Sequence, residues 1–535
     1  MAFSVALAPE SRVALIGAGK RADRVVTAGR RSLARSREGA RYWWGNQGLM
    51  PVDRLTDEDQ RMLWPDEIWP QEIGALAVLD GGGLADPGGR VRVEAVREVI
   101  AARLHLVPRF RQLLYVPRPG LGRPLWVDAP AFDLADHVQV VPVPDPGDEA
   151  ALLRAAEQLR RRRLERSRPL WQMWLLPGLA EGRVGMFVKI HHVIGDATAG
   201  VAALGALLDP APDTPAGAAQ PWTPVPPPSS ADLLADNLRH HATGLGHAAA
   251  ALARPVTTAR HARAAWTAVR EVTTGPPVTR TSLDRLAGPG RTLAPIRSSL
   301  DQAQQAAHSH HATVNDVLLT VTAGGLRGLL RSRGEPVQDL VVPIYVPITL
   351  RPAQQRDQAR GNLTALMTVP LPVAVADPVR RLEQIAAETA RRKAESRPSV
   401  GTVLHGPMPR RAFLAVMKHQ RVNLVSADVP GPAQPLYLAG AQLIEVFPML
   451  PLMGKTTLGV GALSYAGQFN IMAVADHDAC PDLDVFAATA RDELRALAAS
   501  MRATPDRQAT KTRLAPAQVR GRAPGSAWPE AGDRR

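Results

Sequence analysis

The 535-residue chain has one cysteine, Cys480, and few lysines. One cysteine excludes an internal disulfide and any cysteine-rich metal site, and it is typical of a protein that folds in a reducing compartment. We expect no secretory signal, because the first 48 residues contain no apolar run long enough for one. The most hydrophobic region, 436–454, is interrupted by prolines and polar residues, so it does not predict a membrane span.

Positive charge is in excess, and it comes almost entirely from arginine. The formal net charge is +14 and the sequence pI is about 10.7. We interpret this first as surface charge. A basic face would also attract anionic lipid headgroups or other phosphate groups. No nucleic-acid motif is present, so we expect no specific nucleic-acid partner.

The length is sufficient for two domains with separate cores. The composition changes abruptly at Pro210, where a Pro/Ala/Thr-rich stretch begins that is typical of an extended linker. We find no internal sequence repeat. The predicted segments are a basic, flexible extension (1–48), an N-terminal domain (49–209), a Pro-rich linker with an amphipathic helical region (210–280), a C-terminal domain (281–502) and a disordered tail (503–535).

The amphipathic region, roughly 231–272, is rich in alanine, arginine and histidine. Two interpretations stay open for it: it packs on one of the two domains, or it lies on a membrane surface. Neither its histidines nor those at 308–311 have a carboxylate or cysteine at ligand spacing. We therefore expect surface histidines and no metal site.

A strand is predicted from Val184 to His192, because apolar residues at 184, 186, 188 and 190 share one face. His192 extends this stripe, and Asp196 follows in a Gly-containing turn before a small-residue helix at 198–209. An imidazole placed there suits a general base whose tautomer is fixed by a second group, for which Asp196 is the candidate. The alternative is that this is an ordinary strand end whose two histidines have no catalytic role. Further along, the patterns predict a helix over 312–330 and a hairpin across Ala466-Gly467.

Five blocks in order carry a resemblance to a known family. The stretch His191-His192-Val193-Ile194-Gly195-Asp196-Ala197 resembles the HHxxxDG signature of CoA-dependent acyltransferases. The other blocks are similar to those of the bacterial wax ester synthase/diacylglycerol acyltransferase family, and they are Pro169-Leu170-Trp171 with Gly178-Leu179, Asn315-Asp316, Gly361-Asn362, and Val429-Pro430-Gly431-Pro432. Ala197 departs from the signature glycine. Were a positive φ needed there, its methyl group would add strain of roughly 1 kcal/mol.

The resemblance implies an α/β (α+β) fold: two chloramphenicol-acetyltransferase-like domains with mixed sheets, joined by a long linker, with an active-site tunnel between them. It implies an enzyme that moves a long-chain acyl group from acyl-CoA, its substrate, to diacylglycerol or a fatty alcohol, making triacylglycerol or wax ester without a metal or another cofactor. The implied catalytic residues are His192, His191 and Asp196, and the implied substrate-binding residues are Asn315, Asp316 and Gly195.

Substrates of this kind lie in membranes. The resemblance therefore implies a cytoplasmic protein that associates peripherally with the inner membrane face or with lipid bodies. Two alternatives stay open. One is an acyltransferase of the same superfamily with another acceptor. The other, suggested by Ala197, is a catalytically weakened lipid-binding or lipid-body protein.

Overall fold

A computed structural model of the protein describes residues 40–45, 48–86, 90–253, 259, 263, 280–349, 361–362, 364–394 and 410–503. In these residues, two six-stranded sheets and two two-stranded sheets are surrounded by helices. The strands are β1 (Ala40–Gly45), β2 (Gly48–Asp53), β3 (Glu72–Leu79), β4 (Gln112–Tyr115), β5 (Leu125–Asp128), β6 (Val138–Val140), β7 (Trp171–Leu176), β8 (Val184–His191), β9 (Arg291–Ser299), β10 (Val341–Thr349), β11 (Thr364–Pro372), β12 (Leu424–Pro430), β13 (Tyr437–Leu438), β14 (Ala441–Met449), β15 (Leu458–Tyr465) and β16 (Gln468–Asp476).

The helices cover the faces of the two large sheets, and short 3₁₀ turns connect several elements. They are α1 (Asp57–Leu63), α2 (Val93–Arg103), α3 (Leu134–His137), α4 (Glu149–Arg161), α5 (Ala197–Leu207), α6 (Ser230–Leu252), α7 (Leu300–Ser309), α8 (Val314–Ser332), α9 (Pro378–Ala394), α10 (Arg410–His419) and α11 (Leu483–Ala503). No helix among the described residues is both long enough and apolar enough to cross a membrane. Of the predicted flexible extension, 40–45 and 48 belong to the β1–β2 hairpin. The rest of it, and the predicted tail beyond Ala503, lie outside the described residues.

The sheet of the N-terminal half has the strand order β13-β14-β3-β8-β7-β6. At its centre, β8 runs antiparallel to both β3 and β7, and all eight of its residues are buried. The predicted apolar stripe is therefore present, but the opposite face of the strand is buried as well. On that face Phe187 is fully buried, and α4 presses Leu152 close to Gly185. The strand is thus a rigid support for the histidines at its end.

A strand from the second half completes this sheet. β14 pairs antiparallel with β3, and β13 pairs with β14, so residues 437–449 belong to the N-terminal sheet although they lie within the predicted C-terminal domain. The predicted domain boundaries stay predictions. The exchange joins the two halves through backbone hydrogen bonds as well as through side chains.

The second large sheet is mixed, with the order β11-β10-β12-β15-β16-β9. Its hairpin between β15 and β16 turns at Ala466 and Gly467, which both have positive φ, so this prediction is confirmed. The helix predicted over 312–330 is α8, which packs with α11 over one face of the sheet. The prediction of mixed sheets in two similar halves is confirmed.

The Pro-rich stretch from 210 to 228 is attached to the N-terminal half. The Trp222 ring meets Phe132 edge-on at 6.4 Å between centroids, and the Arg111 guanidinium lies over the Trp222 ring at 5.3 Å. The backbone N–H of Val225 donates to Asp128 Oδ2 at 3.0 Å. These contacts hold the stretch on the surface of the N-terminal half and so determine where α6 begins.

Candidate active site

His192 lies just beyond the end of β8, and its imidazole is held by the other half of the chain. Its Nδ1 is 2.9 Å from Asn362 Oδ1. The amide nitrogen of Asn362 donates to the His192 carbonyl at 2.8 Å and to Asp59 Oδ1 at 2.9 Å. Because that nitrogen already has two acceptors, the amide oxygen faces the ring, and Nδ1 must carry the proton. The lone pair of the neutral ring is therefore on Nε2, as a general base requires.

The environment of His192 also favours the neutral imidazole. Burial lowers the pKa of His192 from its ordinary value of 6.5, although Asp196 and Asn362 act in the opposite direction. A base with a lowered pKa is unprotonated at neutral pH. This site can therefore accept a proton from a hydroxyl group without first losing one.

His191 is buried, and its ring has a hydrogen bond on Nδ1 and a close carboxylate contact on Nε2. Its Nδ1 accepts from the Val193 backbone N–H at 3.0 Å, and its Nε2 is 3.2 Å from Asp66 Oδ1. Burial raises the pKa of Asp66, but the stronger combined effect of His191, the Gln71 N–H and Arg166 holds that pKa well below its usual range. Such a buried contact fixes the turn after β8.

Asp196 is the N-cap of α5. Its Oδ1 accepts from the Ala199 N–H at 3.0 Å, and its Oδ2 accepts from Thr364 Oγ1 at 3.0 Å across the two halves. The contact that fixes the imidazole, which we expected from Asp196, is made by Asn362 instead. Ala197 is the first helical residue of α5 and does not have a positive φ, so the strain expected from its methyl group is absent.

Gly195 is buried at the contact between the halves, where it forms a β-bridge with Gly361. A Cβ atom on Gly195 would lie 2.6 Å from the Ala199 Cβ, which is too close for any side chain. The glycine therefore allows the turn, the start of α5 and the second half to approach one another. We assign it this packing role, and a contact of Gly195 with substrate stays a prediction.

Asn315 and Asp316 begin α8. The buried Asp316 carboxylate forms a capping box with Thr313 and accepts from Thr389 Oγ1 of α9 at 2.8 Å. All of these bonds lie within the C-terminal half, and those with Thr313 cap the N-terminus of α8. Asn315 is half-buried beside it. A contact of either residue with substrate stays a prediction.

An apolar cavity near the end of β8 is formed by both halves. It spans about 900 Å³ of empty space, open solvent included. Met186, Val188 and Ile190 of β8 form one wall, and Ile190 stands two residues before His192 in the chain. The remaining lining includes α5 and, from the second half, Val429 and Leu463. An alkyl chain could lie along this wall with its reactive end near His192.

Two residues of this arrangement were not predicted. Asn362 lies in the Gly361-Asn362 block, but nothing in the sequence indicated that it contacts His192. Asp66 follows a helix end with no motif around it, so no signal for it was available. In the part of the chain that the structure describes, no group of three or more His, Cys, Asp or Glu side chains could hold a metal ion.

Comparisons with known proteins agree with this architecture. The model of the wax ester synthase/diacylglycerol acyltransferase catalytic domain matches residues 55–318, and that of the corresponding C-terminal domain matches 360–498. A Mycobacterium tuberculosis protein, named provisionally as a diacylglycerol O-acyltransferase, is 33% identical over 487 residues, which is 85% of this chain and 100% of the relative. Another M. tuberculosis protein with a name of this kind is 29% identical over 80% of this chain and 91% of its own length.

Solved structures show the same fold. The wax ester synthase/diacylglycerol acyltransferase from Marinobacter aquaeolei VT8 superposes with a TM-score of 0.59 at 22% identity, covering 84% of this chain and 100% of that one. The first condensation domain of the CDA synthetase superposes with a TM-score of 0.51 at 14% identity, covering 83% and 95%.

Proposed function

This chain belongs to the wax ester synthase/diacylglycerol acyltransferase family, and we propose that it transfers a long-chain acyl group from acyl-CoA to the hydroxyl of diacylglycerol or of a fatty alcohol. One observation carries the proposal. A neutral imidazole with its free lone pair on Nε2 stands two residues after Ile190, whose side chain lines an apolar cavity formed by both halves. This transfer requires a site that holds an apolar acyl chain and a base that accepts the proton of a hydroxyl group.

In the proposed reaction His192 Nε2 takes the proton of the acceptor hydroxyl as its oxygen attacks the thioester carbonyl carbon. The tetrahedral intermediate then collapses with cleavage of the C–S bond. The coenzyme A thiolate leaves, and the imidazolium returns the proton to it. The products are an ester and free coenzyme A. The scheme requires no acyl-enzyme, metal or redox cofactor.

The other residues serve as positioning groups in this proposal. Asn362 fixes the ring and tautomer of His192, and the contact of His191 with Asp66 holds the turn that carries it. Asp196 joins the start of α5 to Thr364 of the second half. The base is thus built from both halves, which must be closed on each other for it to work.

The acyl chains and acceptors of this reaction partition into membranes and lipid droplets. We therefore propose that the protein reaches them from the aqueous phase, as a peripheral protein on the inner membrane face or on lipid bodies. Its excess of arginine favours the anionic surface of a membrane.

The test is release of free coenzyme A from palmitoyl-CoA by the purified protein, with dioleoylglycerol, with hexadecanol or without acceptor. We expect acceptor-dependent release that falls by about 10²–10⁴ in His192→Ala, the usual contribution of a general base. His308→Ala, which removes an exposed histidine of α7, is the matched control and should retain full activity. Absence of release with both acceptors, or release that survives in His192→Ala, would refute the proposal.

A further inference from the structure

The first two turns of α6 attach it to the body of the protein. Leu233 is buried against the β4–β5 hairpin, and Asp236 forms a 2.6 Å ion pair with Arg54. The Asn237 side-chain amide donates to the Gly120 carbonyl at 2.8 Å. This end of the helix is therefore held in a fixed orientation on the N-terminal half.

Beyond these contacts the described side chains of the helix face solvent as far as Gly246. Every residue from 238 to 246 is exposed. Three leucines are among the most exposed large apolar side chains of the described residues: Leu234 at 45%, Leu238 at 60% and Leu245 at 73%. Their spacing of four and seven residues places them on one side of the helix. A stripe of leucines in water is unfavourable unless another apolar phase covers it.

The charge changes at the same point of the chain. From Asn237 to Arg270 the sequence contains no acidic residue, whereas it contains five arginines and four histidines. Both acidic residues of α6, Asp232 and Asp236, lie in its attached part. The exposed part of α6 therefore combines leucines with only positive charge, carried by Arg239. This combination complements the surface of a bilayer, in which negatively charged headgroups cover an apolar interior.

The exposed part also lacks a source of stability of its own. It contains Gly244 and Gly246, each of which weakens a helix by about 1 kcal/mol relative to alanine. An isolated helix of this length is marginal in water, because most helical stability in proteins comes from packing of an apolar face. Contact of the leucines with a lipid interface would supply that packing.

We propose that α6 from Leu234 to Gly246 docks on a lipid bilayer with anionic headgroups. Leu234, Leu238 and Leu245 enter the boundary between headgroups and acyl chains, and Arg239 lies among the phosphates. Docking in this way would fix the N-terminal half against the membrane through the rigid first turns of α6. The inference rests on the proposed function only because that function requires access to membrane-borne substrates.

The experiment is co-sedimentation of the full-length protein with vesicles of phosphatidylcholine, with or without phosphatidylglycerol. We expect binding that increases with phosphatidylglycerol. The double variant Leu238→Asp/Leu245→Asp should lower the partition coefficient at least tenfold, because it removes apolar contact and adds negative charge. Leu286→Asp changes an equally exposed leucine (50%) outside α6 and should bind like the unmodified protein. In Arg239→Ala, only the part of the vesicle binding that depends on phosphatidylglycerol should fall, by a factor of about five.

Unchanged binding of the double variant, or an equal loss in Leu286→Asp, would overturn the proposal. Release of coenzyme A from a short-chain acyl-CoA and a water-soluble alcohol is measured in parallel. If the unmodified protein releases coenzyme A normally but the double variant binds vesicles as well as it does, only the docking surface is refuted. A protein that binds vesicles through α6 but releases no coenzyme A with any acceptor would refute the proposed function and leave the docking surface supported.

Discussion

Replacement of Asn362 by alanine would test whether the second half of the chain sets up the base of the first. The variant removes three bonds of the amide: those to the His192 ring, to the His192 carbonyl and to Asp59 Oδ1. The two bonds to His192 act on the base directly, and at about 1 kcal/mol net for each the loss is about 2 kcal/mol. If both bonds act in the transition state, kcat/KM should fall about 30-fold while the affinity for acyl-CoA changes little.

The pH dependence separates this role from a merely structural one. The base works when the imidazole is neutral, and burial holds the pKa of His192 below 6.5, so the rate of the unmodified protein should decline only in acid. The bond to Asn362 raises the pKa of His192. Its loss should therefore move the acid limb of kcat/KM to still lower pH. The profile is measured as coenzyme A release with one acceptor, and Asn237→Ala, which removes an amide outside this network, is the control.

Exchanging Asp59 and Asn362 should restore part of the activity that Asn362→Ala loses. In the double variant Asp59→Asn/Asn362→Asp, the carboxylate introduced at position 362 can accept from both the His192 ring and the amide introduced at position 59. This restores the chain of bonds except at the His192 carbonyl, so we expect part of the lost rate to return. The acid limb should move above that of the unmodified protein, because a carboxylate beside an imidazole raises its pKa. A normal rate in Asn362→Ala, or a lower rate with an unmoved acid limb, would refute the assigned role.

Three further substitutions test other parts of the structure. Ala197→Gly should leave kcat within about twofold, because Ala197 is helical and unstrained; a large gain in rate would instead support a weakened enzyme. Asp316→Ala should lower the free energy of unfolding in urea by about 2–3 kcal/mol through loss of the α8 cap and the Thr389 bond, with no change in acceptor preference. Arg381→Ala should cost about 3–5 kcal/mol in the same assay, because it leaves the half-buried Glu493 carboxylate without the fully buried guanidinium 2.7 Å away.

The sequence was informative where a function depends on local pattern. The alternation along 184–192 predicted β8 and placed His192 at its end, and the two-residue turn at Ala466-Gly467 predicted the β15–β16 hairpin. Each of these follows from the period of a strand or the chemistry of a turn. Both sequence patterns lie within a few residues of the chain.

Pairings between distant residues could not be predicted in this way. The contact of His192 with Asn362 joins residues of different halves, and the sequence around neither residue specifies its partner. Asp196 was the nearest carboxylate in the chain, but the same turn that brings it close makes its Oδ1 the cap of α5, and its Oδ2 accepts from Thr364. Proximity in sequence was therefore a poor guide to which side chain orients the ring.

The exchange of β14 has a consequence for how the protein is made. During translation β3 emerges early, but its partner along one edge, β14, leaves the ribosome only after most of the chain has been synthesised. Until then the N-terminal sheet has an open, apolar edge that could pair with the wrong strand or with another nascent chain. Slow closure of this edge would limit the yield of active protein in a heterologous host. A fragment ending before Ala441 would carry the histidines but would lack an edge of the sheet that supports them.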